Sequence, residues 1–572
     1  MNRNVESHFA LNPTNIDIRR STFDRSHSLK TSFNVGDIVP FFVDEVLPGD
    51  TFNVDTSKVV RLQTLLTPVM DNIYLDTYFF FVPNRLTWSH WKQFNGENTE
   101  SAWIPQTEYE IPQITAPASG GWSVGTIADY LGVPTGVPNL SVSALPFRAY
   151  ALVMNEWFRD ENLSDPLVVP VDDATVAGVN TGTFVTDVCK GGLPYKAAKY
   201  HDYFTSCLPS PQKGPDVTIP VAEAGNYAVV GNGKALPLWN GSNIGVLGSL
   251  SESGYRTFAA SSLSLGSPVS SAIDDVNSPV FGHLGVPTQA QLGDDLSNSG
   301  LIAVASGNAA AATINQLRMA FQIQKLYEKD ARGGSRYIEI LKSHFGVTSP
   351  DARLQRPEYL GGNRVPININ QVVQQSATAS GETAQGTVTG MSVTTDTHSD
   401  FTKSFTEHGF VIGVMVARYD HTYQQGLERF WSRKDRFDYY WPVFANIGEQ
   451  AVKNKEIYAQ GPAQKDSAGN VIDDQVFGYQ EAWADYRYKP SRVTGEMRSQ
   501  YAQSLDVWHL ADDYSALPML SDSWIREDKT NVDRVLAVTS AVSNQLFADI
   551  YIKNRTTRPM PMYSIPGLID HH

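Results

Sequence analysis

A serine between two glycines is the first candidate for chemistry in this sequence. Gly121-Trp-Ser123-Val-Gly125 fits the G-x-S-x-G pattern that exposes a nucleophilic serine on a sharp turn between a strand and a helix. The residues just before it, Pro117-Ala-Ser-Gly-Gly121, are typical of a loop rather than a strand. We therefore predict that Ser123 lies in a loop and has no catalytic role.

Phosphate and metal ligands give equally weak signals. Gly231-Asn-Gly-Lys234 resembles a phosphate-binding loop, but a Walker motif needs a glycine five residues before the second glycine and Ser or Thr after the lysine. Ala228 and Ala235 occupy those two positions, so a turn is predicted instead. The terminal pair His571-His572 has ligand spacing, but fraying is expected at a chain end. We predict no cofactor and no metal site.

Five acidic pairs supply candidate Ca²⁺ ligands. They are Asp172-Asp173, Asp274-Asp275, Asp294-Asp295, Asp473-Asp474 and Asp512-Asp513. A Ca²⁺ site needs six to eight oxygen atoms, and none of the pairs has the periodic spacing of an EF-hand loop. We therefore predict solvated loop carboxylates at these positions. A catalytic carboxylate pair of a glycosidase stays open, because its separation is set in space rather than along the chain.

Aromatic and basic residues alternate in two stretches, from Arg418 to Trp441 and from Tyr479 to Arg498. Single-stranded nucleic acid binds such mixtures, since bases stack on rings while cations hold phosphates. The alternative is a subunit interface or a core in which the arginines pair with Asp435 or Asp438, and we favour that alternative.

Both ends of the chain carry basic residues. Near the amino end these include Arg19, Arg20 and Arg25, and near the carboxyl end they are Lys553, Arg555 and Arg558. Flexible basic ends can contact an enclosed polyanion, so these six residues are our candidate nucleic-acid contacts. Solvated tails are the alternative interpretation.

The overall charge limits how nucleic acid could be bound. The 572 residues carry a formal net charge of −15, whereas proteins that bind DNA through general electrostatics are normally basic. Any contact with nucleic acid must therefore depend on local patches. Two cysteines, Cys189 and Cys207, cannot form a disulfide framework or a four-thiolate site. They could form a single disulfide, but we predict two free or buried thiols.

The sequence shows no targeting segment. Its start, MNRNVESHFALNPTN, lacks the apolar stretch of a secretory signal, and we expect a protein that is made and kept in a cytoplasm. The longest strongly apolar run, Phe410 to Ala417, has the length of a strand and is far short of the ~20 residues that span a membrane.

Three stretches differ in the elements they predict. Residues 1–213 contain short β-branched and aromatic runs between turn signals, which suggest a sandwich or barrel, with one helix beginning near Pro146. Residues 214–312 contain 14 Gly and 14 Ser with a local charge of −5, and predict a loop-rich insert with some strands that projects from the body.

Residues 313–572 begin with helices and then return to strands. Thr313-Ile-Asn-Gln316 fits a capping box for a helix that ends at Gly333-Gly334, and Ser335 can cap a second helix that ends at Gly346. A Ser/Thr/Gly-rich stretch over 377–400 predicts an exposed loop.

Several phrases together resemble one family, the major capsid proteins of gokushovirus-type Microviridae, which are small tailless single-stranded DNA phages. The phrases are EVLPGDTF (45–52), FFVPNRL (80–86), DYFTSCLP (202–209), EKDARGGSRYIE (328–339), FGVTSPDARLQRPEYLGG (345–362), EHGFVIG (407–413) and FGYQEAWADYRYKPSRVTGEMRS (477–499). They occur in order along nearly the whole chain and are weakest over 214–312.

This resemblance implies a mainly β fold, an eight-stranded antiparallel jelly roll with long inter-strand insertions and a few helices. It implies a structural protein rather than an enzyme, sixty copies of which form a T=1 shell around circular single-stranded DNA through fivefold, threefold and twofold contacts. Residues 1–213 would form the first part of the jelly-roll body with an amino-terminal arm. Residues 313–572 would form a helical insert and the remainder of the body with a carboxyl-terminal arm. Residues 214–312 would form a surface loop that clusters at the threefold axes.

Partners follow from the same resemblance. We expect the packaged DNA, a small basic DNA-binding capsid protein that compensates the acidic subunit, and a host-surface receptor bound by the insert. The location would be the virion capsid, after assembly in the cytoplasm of a host bacterium. The alternative from another class is a β-sandwich that binds or acts on carbohydrate, which the aromatic content and loop carboxylates permit.

Overall fold

A computed structural model describes residues 19–98, 107–215, 217, 314–376, 378 and 383–563, together with four short strands between 228 and 304. The chain divides into two compact units. Residues 1–214 and 326–572 form the first unit, and residues 215–325 form the second. The boundaries 1–213, 214–312 and 313–572, with a protrusion at the threefold axes, stay a prediction.

The strands follow an antiparallel pattern in nearly every pairing. In chain order they are β1 (Ser21–Asp24), β2 (His27–Phe33), β3 (Val39–Val46), β4 (Thr51–Leu62), β5 (Ile73–Pro83), β6 (Gln113–Thr115), β7 (Ser141–Ser143), β8 (Val176–Ala177), β9 (Ala228–Gly231), β10 (Pro237–Trp239), β11 (Ile244–Val246), β12 (Leu301–Val304), β13 (Glu358–Pro366), β14 (Ile369–Val373), β15 (Val388–Ser392), β16 (Thr394–Ser404), β17 (Gly409–Tyr419), β18 (Glu449–Lys453), β19 (Val476–Glu481) and β20 (Leu546–Arg558).

Helices are short except for one. They are α1 (Asn84–Thr87), α2 (Trp91–Phe94), α3 (Ile127–Tyr130), α4 (Leu145–Val153), α5 (Ile314–Gly333), α6 (Tyr337–Phe345), α7 (Asn454–Ile457), α8 (Asp522–Ile525) and α9 (Thr530–Asp533). A π-helical turn, Met154–Phe158, extends α4. Single 3₁₀ turns cover Val188–Lys190, Arg429–Ser432, Arg436–Asp438, Pro442–Phe444, Ile472–Asp474, Ala484–Tyr486, Gly495–Met497 and Asp506–Trp508.

Two large sheets form the body. In the first, β20 lies between β4 and the consecutive strands β1 and β2, and β16 closes the far edge; in the second the order is β13-β5-β17-β3. Strands that follow each other in the chain thus often lie in opposite sheets, as in a jelly roll. The predicted mainly β, antiparallel class is confirmed. The predicted count of eight strands is not confirmed. β1 and β2 pair with successive parts of β20, which makes the first sheet five-stranded.

Alternation along the strands creates the core between the sheets. In β20 every second residue from Leu546 to Thr556 is buried, and the residues between them are exposed. The inward residues meet aromatic side chains of the second sheet, among them Phe79, which stacks edge-on against Phe41 with ring centroids 5.2 Å apart. Burying each such ring stabilises the fold by ~1.5–3 kcal/mol.

The second sheet is covered on its other face as well. β17 carries the apolar run predicted as a strand from Phe410 to Ala417, and it is buried on both faces because α4 and adjoining loops pack behind it. Tyr150 of α4 donates a hydrogen bond to the carbonyl of Ile38 at 2.6 Å, which ties this layer to the sheet. Pro146 lies in the first turn of α4, as predicted.

The predicted helix pair near residue 313 is present, although its capping differs. α5 begins at Ile314 and ends at Gly333, while Thr313, the first residue of the predicted capping box, lies outside the described residues. The N-cap of α6 is Arg336 rather than Ser335. The hydroxyl of Ser335 donates to Glu161 at 2.5 Å and accepts from Lys213 at 2.8 Å, and so is engaged away from the helix.

The loop predicted over 377–400 is wrong for much of its length. β15 forms a hairpin with β14, and β16 pairs with β4 at the edge of the first sheet. Threonine supplies the reason, because its β-branched side chain suits a strand even where the composition resembles that of a loop. Phe401 of β16 is buried and completes the core.

In the second unit, β9 pairs with β12 and β10 pairs with β11, both antiparallel. These strands agree with the predicted insert that contains some strands. Across the described ranges, no helix is long and apolar enough to cross a membrane.

Candidate nucleic-acid interface

The two basic chain ends, which are separated by more than 500 residues, lie side by side. β1 pairs with the last part of β20, so that Ser21 is opposite Arg558 and Asp24 is opposite Arg555. The six predicted contacts therefore belong to one region at one end of the first sheet. Arg19 and Arg20 are exposed just before β1.

Two of the six predicted nucleic-acid contacts, Arg25 and Arg558, form ion pairs within the subunit. Arg25 donates to both carboxylate oxygens of Asp44, at 2.6 and 2.7 Å. The guanidinium of Arg558 lies 3.1 Å from the fully buried Asp50 and donates to the carbonyl of Glu45 at 2.7 Å. Bidentate and buried pairs of this kind hold strands together, so these two cations are engaged within the subunit.

Lys553 and Arg555 point outward from β20. The Lys553 ammonium is 3.5 Å from Asp55 of β4, and both side chains are substantially exposed. Arg555 has no carboxylate within ion-pair distance in the described part of the chain. Hydrogen bonds from Ser26, and more weakly the charge of Arg555, hold the pKa of the Asp24 carboxyl below its usual value.

The sequence interpretation missed three residues on the same outward surface. Phe547 and Tyr551 are exposed on β20, and Arg61 of β4 lies opposite Phe547. The strict alternation in Leu546–Arg558 could have identified both rings, because it places them with Lys553 and Arg555 on one face. We call Arg61, Phe547, Tyr551, Lys553 and Arg555 the terminal face.

The terminal face has the chemistry for contact with single-stranded nucleic acid. Exposed rings offer stacking surfaces, and the nearby cations can hold phosphates. Two exposed ion pairs lie on this sheet, Lys553 with Asp55 and, at 3.8 Å, Lys30 with Asp549. Exposed ion pairs contribute only ~0–1 kcal/mol to the stability of the fold. A phosphate can therefore replace a carboxylate partner at little cost.

The two aromatic and basic stretches converge elsewhere, around a cavity of about 390 Å³. The predicted pairing of arginines with Asp435 or Asp438 is wrong at Arg433, whose guanidinium pairs with Asp485 of the other stretch. Its Nε donates only to the backbone carbonyl of Asp438, at 2.9 Å. The sequence could not reveal this partner because Arg433 and Asp485 lie 52 positions apart in the chain.

The acidic pairs differ from the prediction at two positions. Asp512 is buried between His421 and Lys199, and Asp473 is buried and accepts the backbone N–H groups of Gln460 and Gly461. Polar partners explain why these carboxylates tolerate burial. Asp274-Asp275 and Asp294-Asp295 lie outside the described residues. Within the described ranges, no three His, Cys, Asp or Glu side chains form a metal-binding group.

The other motifs with possible chemistry are one serine, two cysteines and two motifs outside the described residues. Ser123 is exposed in a loop, as predicted, and its backbone N–H donates to Asn180 at 2.9 Å. Both cysteines are free and buried, as predicted, and burial raises the pKa of the Cys207 thiol well above its usual value. Lys234 and His571-His572 lie outside the described residues.

Comparisons with known proteins all identify relatives that are named capsid proteins. A family model described as "Capsid protein (F protein)" matches residues 13–568. The chain is 43% identical over 590 residues to "Capsid protein VP1" of Chlamydia phage 1, with 99% of this chain and 98% of the relative covered. Proteins of the same name from Bdellovibrio phage phiMH2K and Spiroplasma virus 4 are each 42% identical, covering 99% and 96% of this chain and 98% and 96% of their own.

Proposed function

The chain belongs to the phage capsid protein (F protein) family, and we propose that sixty copies of it close into a T=1 icosahedral shell around a circular single-stranded DNA genome. It is a structural capsid protein of the virion and its relatives are named as such, which points away from an enzyme. Assembly would take place in the cytoplasm of a host bacterium.

An exposed aromatic segment carries the assembly proposal. Phe437, Tyr439, Tyr440, Trp441 and Val443 are each between 45 and 81% exposed, although they lie within seven residues of one another. Monomeric proteins rarely expose a contiguous apolar patch of this kind, and aromatic residues are enriched at interface cores. A second copy that docks on this segment would remove the patch from water.

The segment also has a defined shape, which a specific interface requires. The indole N–H of Trp441 donates to the carbonyl of Arg436 at 2.9 Å. The ring of Tyr440 packs edge-on against Trp483, with ring centroids 5.8 Å apart. Because the rings are fixed before contact, little conformational entropy is lost when copies associate.

Electron microscopy and sedimentation of the purified full chain test the assembly. The wild-type chain should give uniform spherical shells, and Val443→Asp should leave a folded subunit that does not assemble. Val124→Asp is the matched control, since Val124 is 79% exposed and lies in a different part of the first unit. Normal shells from Val443→Asp, or equal failure of both variants, would remove the segment as the basis of the proposal.

The terminal face and the basic chain ends supply the weak local contacts with DNA. The subunit carries a net charge of −15, so these contacts cannot neutralise a genome. A separate small basic protein or polyamines would do so, while the acidic residues concentrate on the outside. Tight binding of single-stranded DNA by the isolated subunit that persists at high salt would contradict this division of roles.

The Gly/Ser-rich segment 214–312 is the part of the proposal that concerns the host. Its 14 Gly, 14 Ser and local charge of −5 suit an exposed decoration, which would contact a receptor on the host surface. Deleting residues 225–305 should leave shell assembly intact and reduce adsorption of particles to cells. Adsorption at the wild-type level would limit the segment to a structural decoration.

A further inference from the structure

A cavity of about 390 Å³ lies between the two stretches that alternate aromatic and basic residues. Seven aromatic side chains, five cations and three carboxylates line it, which leaves a local surplus of two positive charges on a chain that is acidic overall. Its volume lies within the ~300–1,000 Å³ range of small-molecule sites. We call this cavity the aromatic cleft.

The inner wall of the aromatic cleft offers a hydrogen-bond acceptor without a donor. Arg433, whose side chain is 8% exposed, pairs with one carboxylate oxygen of Asp485, and its guanidinium stacks over the ring of Tyr486 at 4.3 Å. The other oxygen, Asp485 Oδ1, is buried and has no hydrogen-bond partner in the described part of the chain. Leaving such an acceptor unpaired is costly, so a ligand N–H would be favoured there.

The mouth of the aromatic cleft is basic and partly aromatic. Lys489 and Arg492 are each about three-fifths exposed and share a single carboxylate, Glu428. The Lys489 ammonium also lies 4.9 Å from the centre of the Phe430 ring, and Trp431 beside it is 66% exposed. Two cations on one carboxylate leave positive charge available for an anion.

A third cation adds to this surplus. The Arg498 guanidinium donates to the backbone carbonyl of Gln424 at 2.7 Å and has no carboxylate within ion-pair distance in the described ranges. By contrast, Arg429 deeper in the cleft is matched by Glu456, with Nη2 and Oε1 3.0 Å apart. The unmatched charge therefore belongs to the mouth, and the unmatched acceptor belongs to the inner wall.

From this arrangement we propose that the aromatic cleft binds one nucleotide of single-stranded DNA. The base stacks against the rings and donates an N–H to Asp485 Oδ1, while the phosphate lies at the mouth near Lys489 and Arg492. A base in a duplex has its donors paired and its faces stacked, so an unpaired base is required. This inference rests on the proposed enclosure of single-stranded DNA, and it names a second contact point distinct from the terminal face.

Fluorescence anisotropy with a labelled mixed-sequence DNA dodecamer tests the inference on the unassembled full chain. Trp431→Ala should weaken single-strand binding about 5- to 150-fold, the range for loss of one base stack. Lys489→Gln with Arg492→Gln should lower the slope of log affinity against log salt by about 0.7, because the one phosphate held at the mouth contributes about 0.7 for a single strand. Lys329→Gln with Lys465→Gln makes the same charge change at two exposed lysines as the control.

Further arms separate this inference from the proposed function. A dodecamer that carries 5-bromodeoxyuridine should cross-link on irradiation to residues 430–431 or 486–488, which peptide mass spectrometry can map. Cross-links that fall only elsewhere, equal affinity for the matching duplex, or cleft variants that bind like the control would overturn the cleft as a DNA site. Cleft variants that abolish shells yet bind DNA normally would instead assign the cleft to a neighbouring copy.

Shell assembly can succeed or fail independently of DNA binding in the aromatic cleft. If the wild-type chain assembles but binds no single-stranded DNA, the cleft inference fails and the capsid proposal stands. If Arg61→Gln with Arg555→Gln removes binding while the cleft variants do not, the terminal face is the contact and the cleft is not. Trp431, Lys489 and Arg492 are exposed, so unchanged circular dichroism is expected for every cleft variant.

Discussion

Replacing the buried His421 with glutamine should destabilise the folded chain strongly at neutral pH and much less near pH 10. The imidazole lies between two buried carboxylates, with Nδ1 2.9 Å from Asp512 and Nε2 3.1 Å from Glu527. Lys199 supplies a second cation, 3.6 Å from Asp512. Two carboxylates are thus balanced by two cations, and the substitution removes one cation.

The size of the effect follows from the pKa of His421. Burial favours the neutral ring, but the charges of Glu527 and then Asp512 outweigh it and raise the pKa from 6.5 to about 10. A raised folded-state pKa gives stability that is complete below the unfolded value of 6.5 and is lost as pH rises towards 10. At pH 7 this amounts to on the order of 4 kcal/mol, since one pH unit corresponds to about 1.36 kcal/mol.

The usual cost of breaking a buried ion pair predicts a loss of stability of similar size. Removing one partner of a buried ion pair typically costs ~3–5 kcal/mol, because the other charge stays buried without compensation. The lowered pKa of Asp512, about 2, arises in part from the same pair, so its energy is not added to that of His421.

Urea unfolding of the unassembled chain, followed by circular dichroism at pH 7.0, 8.5 and 10, measures the prediction. The His421→Gln deficit should shrink steadily across this series because the wild-type chain loses its advantage. His201→Gln is the control, since that side chain is exposed. Adding Glu527→Gln to His421→Gln should recover part of the loss at pH 7, because both buried charges are then absent.

A deficit of the same size at pH 7 and pH 10 would refute the reasoning. It would mean that His421 is neutral in the folded state and contributes through packing alone. Full wild-type stability of His421→Gln at pH 7 would be equally damaging, since the pair would then contribute nothing.

Three further predictions concern other buried positions. Asp76 forms ion pairs with Arg364 and Arg418 of the second sheet, and these arginines lower the pKa of Asp76 although burial opposes the shift. The stability that Asp76 contributes is therefore present above about pH 4 and is lost on acidification. Asp76→Asn should cost ~3 kcal/mol in urea unfolding at pH 7, while the exposed Asp549→Asn should cost less than ~1; equal effects would contradict this. A Cβ at Gly362 would lie 1.9 Å from a backbone oxygen of β5, so Gly362→Ala should abolish soluble expression. Gly386→Ala is the control: its Cβ would meet no atom of the described residues within 4 Å, and this variant should be recovered in good yield. Because Cys189 and Cys207 are buried, a thiol reagent at pH 8 should modify neither in the native chain and both after unfolding, and fast native modification would show that one is accessible.

Local patterns in the sequence were sufficient for several elements. The apolar run from Phe410 identified β17, and the helical spacing after Pro146 identified α4. Burial of both thiols and the loop position of Ser123 also followed from residue type and immediate neighbours. These features depend on contacts within a few residues, which composition and periodicity report directly.

Where the local signal conflicted with tertiary pairing, prediction failed. Residues 394–400 belong to the stretch predicted as a loop, yet they form part of β16 because β4 presents a matching hydrogen-bonding edge. The pairing of Arg433 with Asp485, and of Asp512 with His421, joins positions far apart in the chain. No spacing rule along one sequence can identify such partners.

The amino-acid sequence by itself determined the family, the mainly β class and the basic character of the two chain ends, because these depend on ordered phrases, residue types and short-range alternation. Only the tertiary structure decided that the two ends lie on neighbouring strands, that Arg25 and Arg558 are occupied by carboxylates, and that two distant aromatic stretches enclose one cleft. The physical reason is that charge compensation and cavity formation depend on distances in space. Chain folding, rather than sequence spacing, sets those distances.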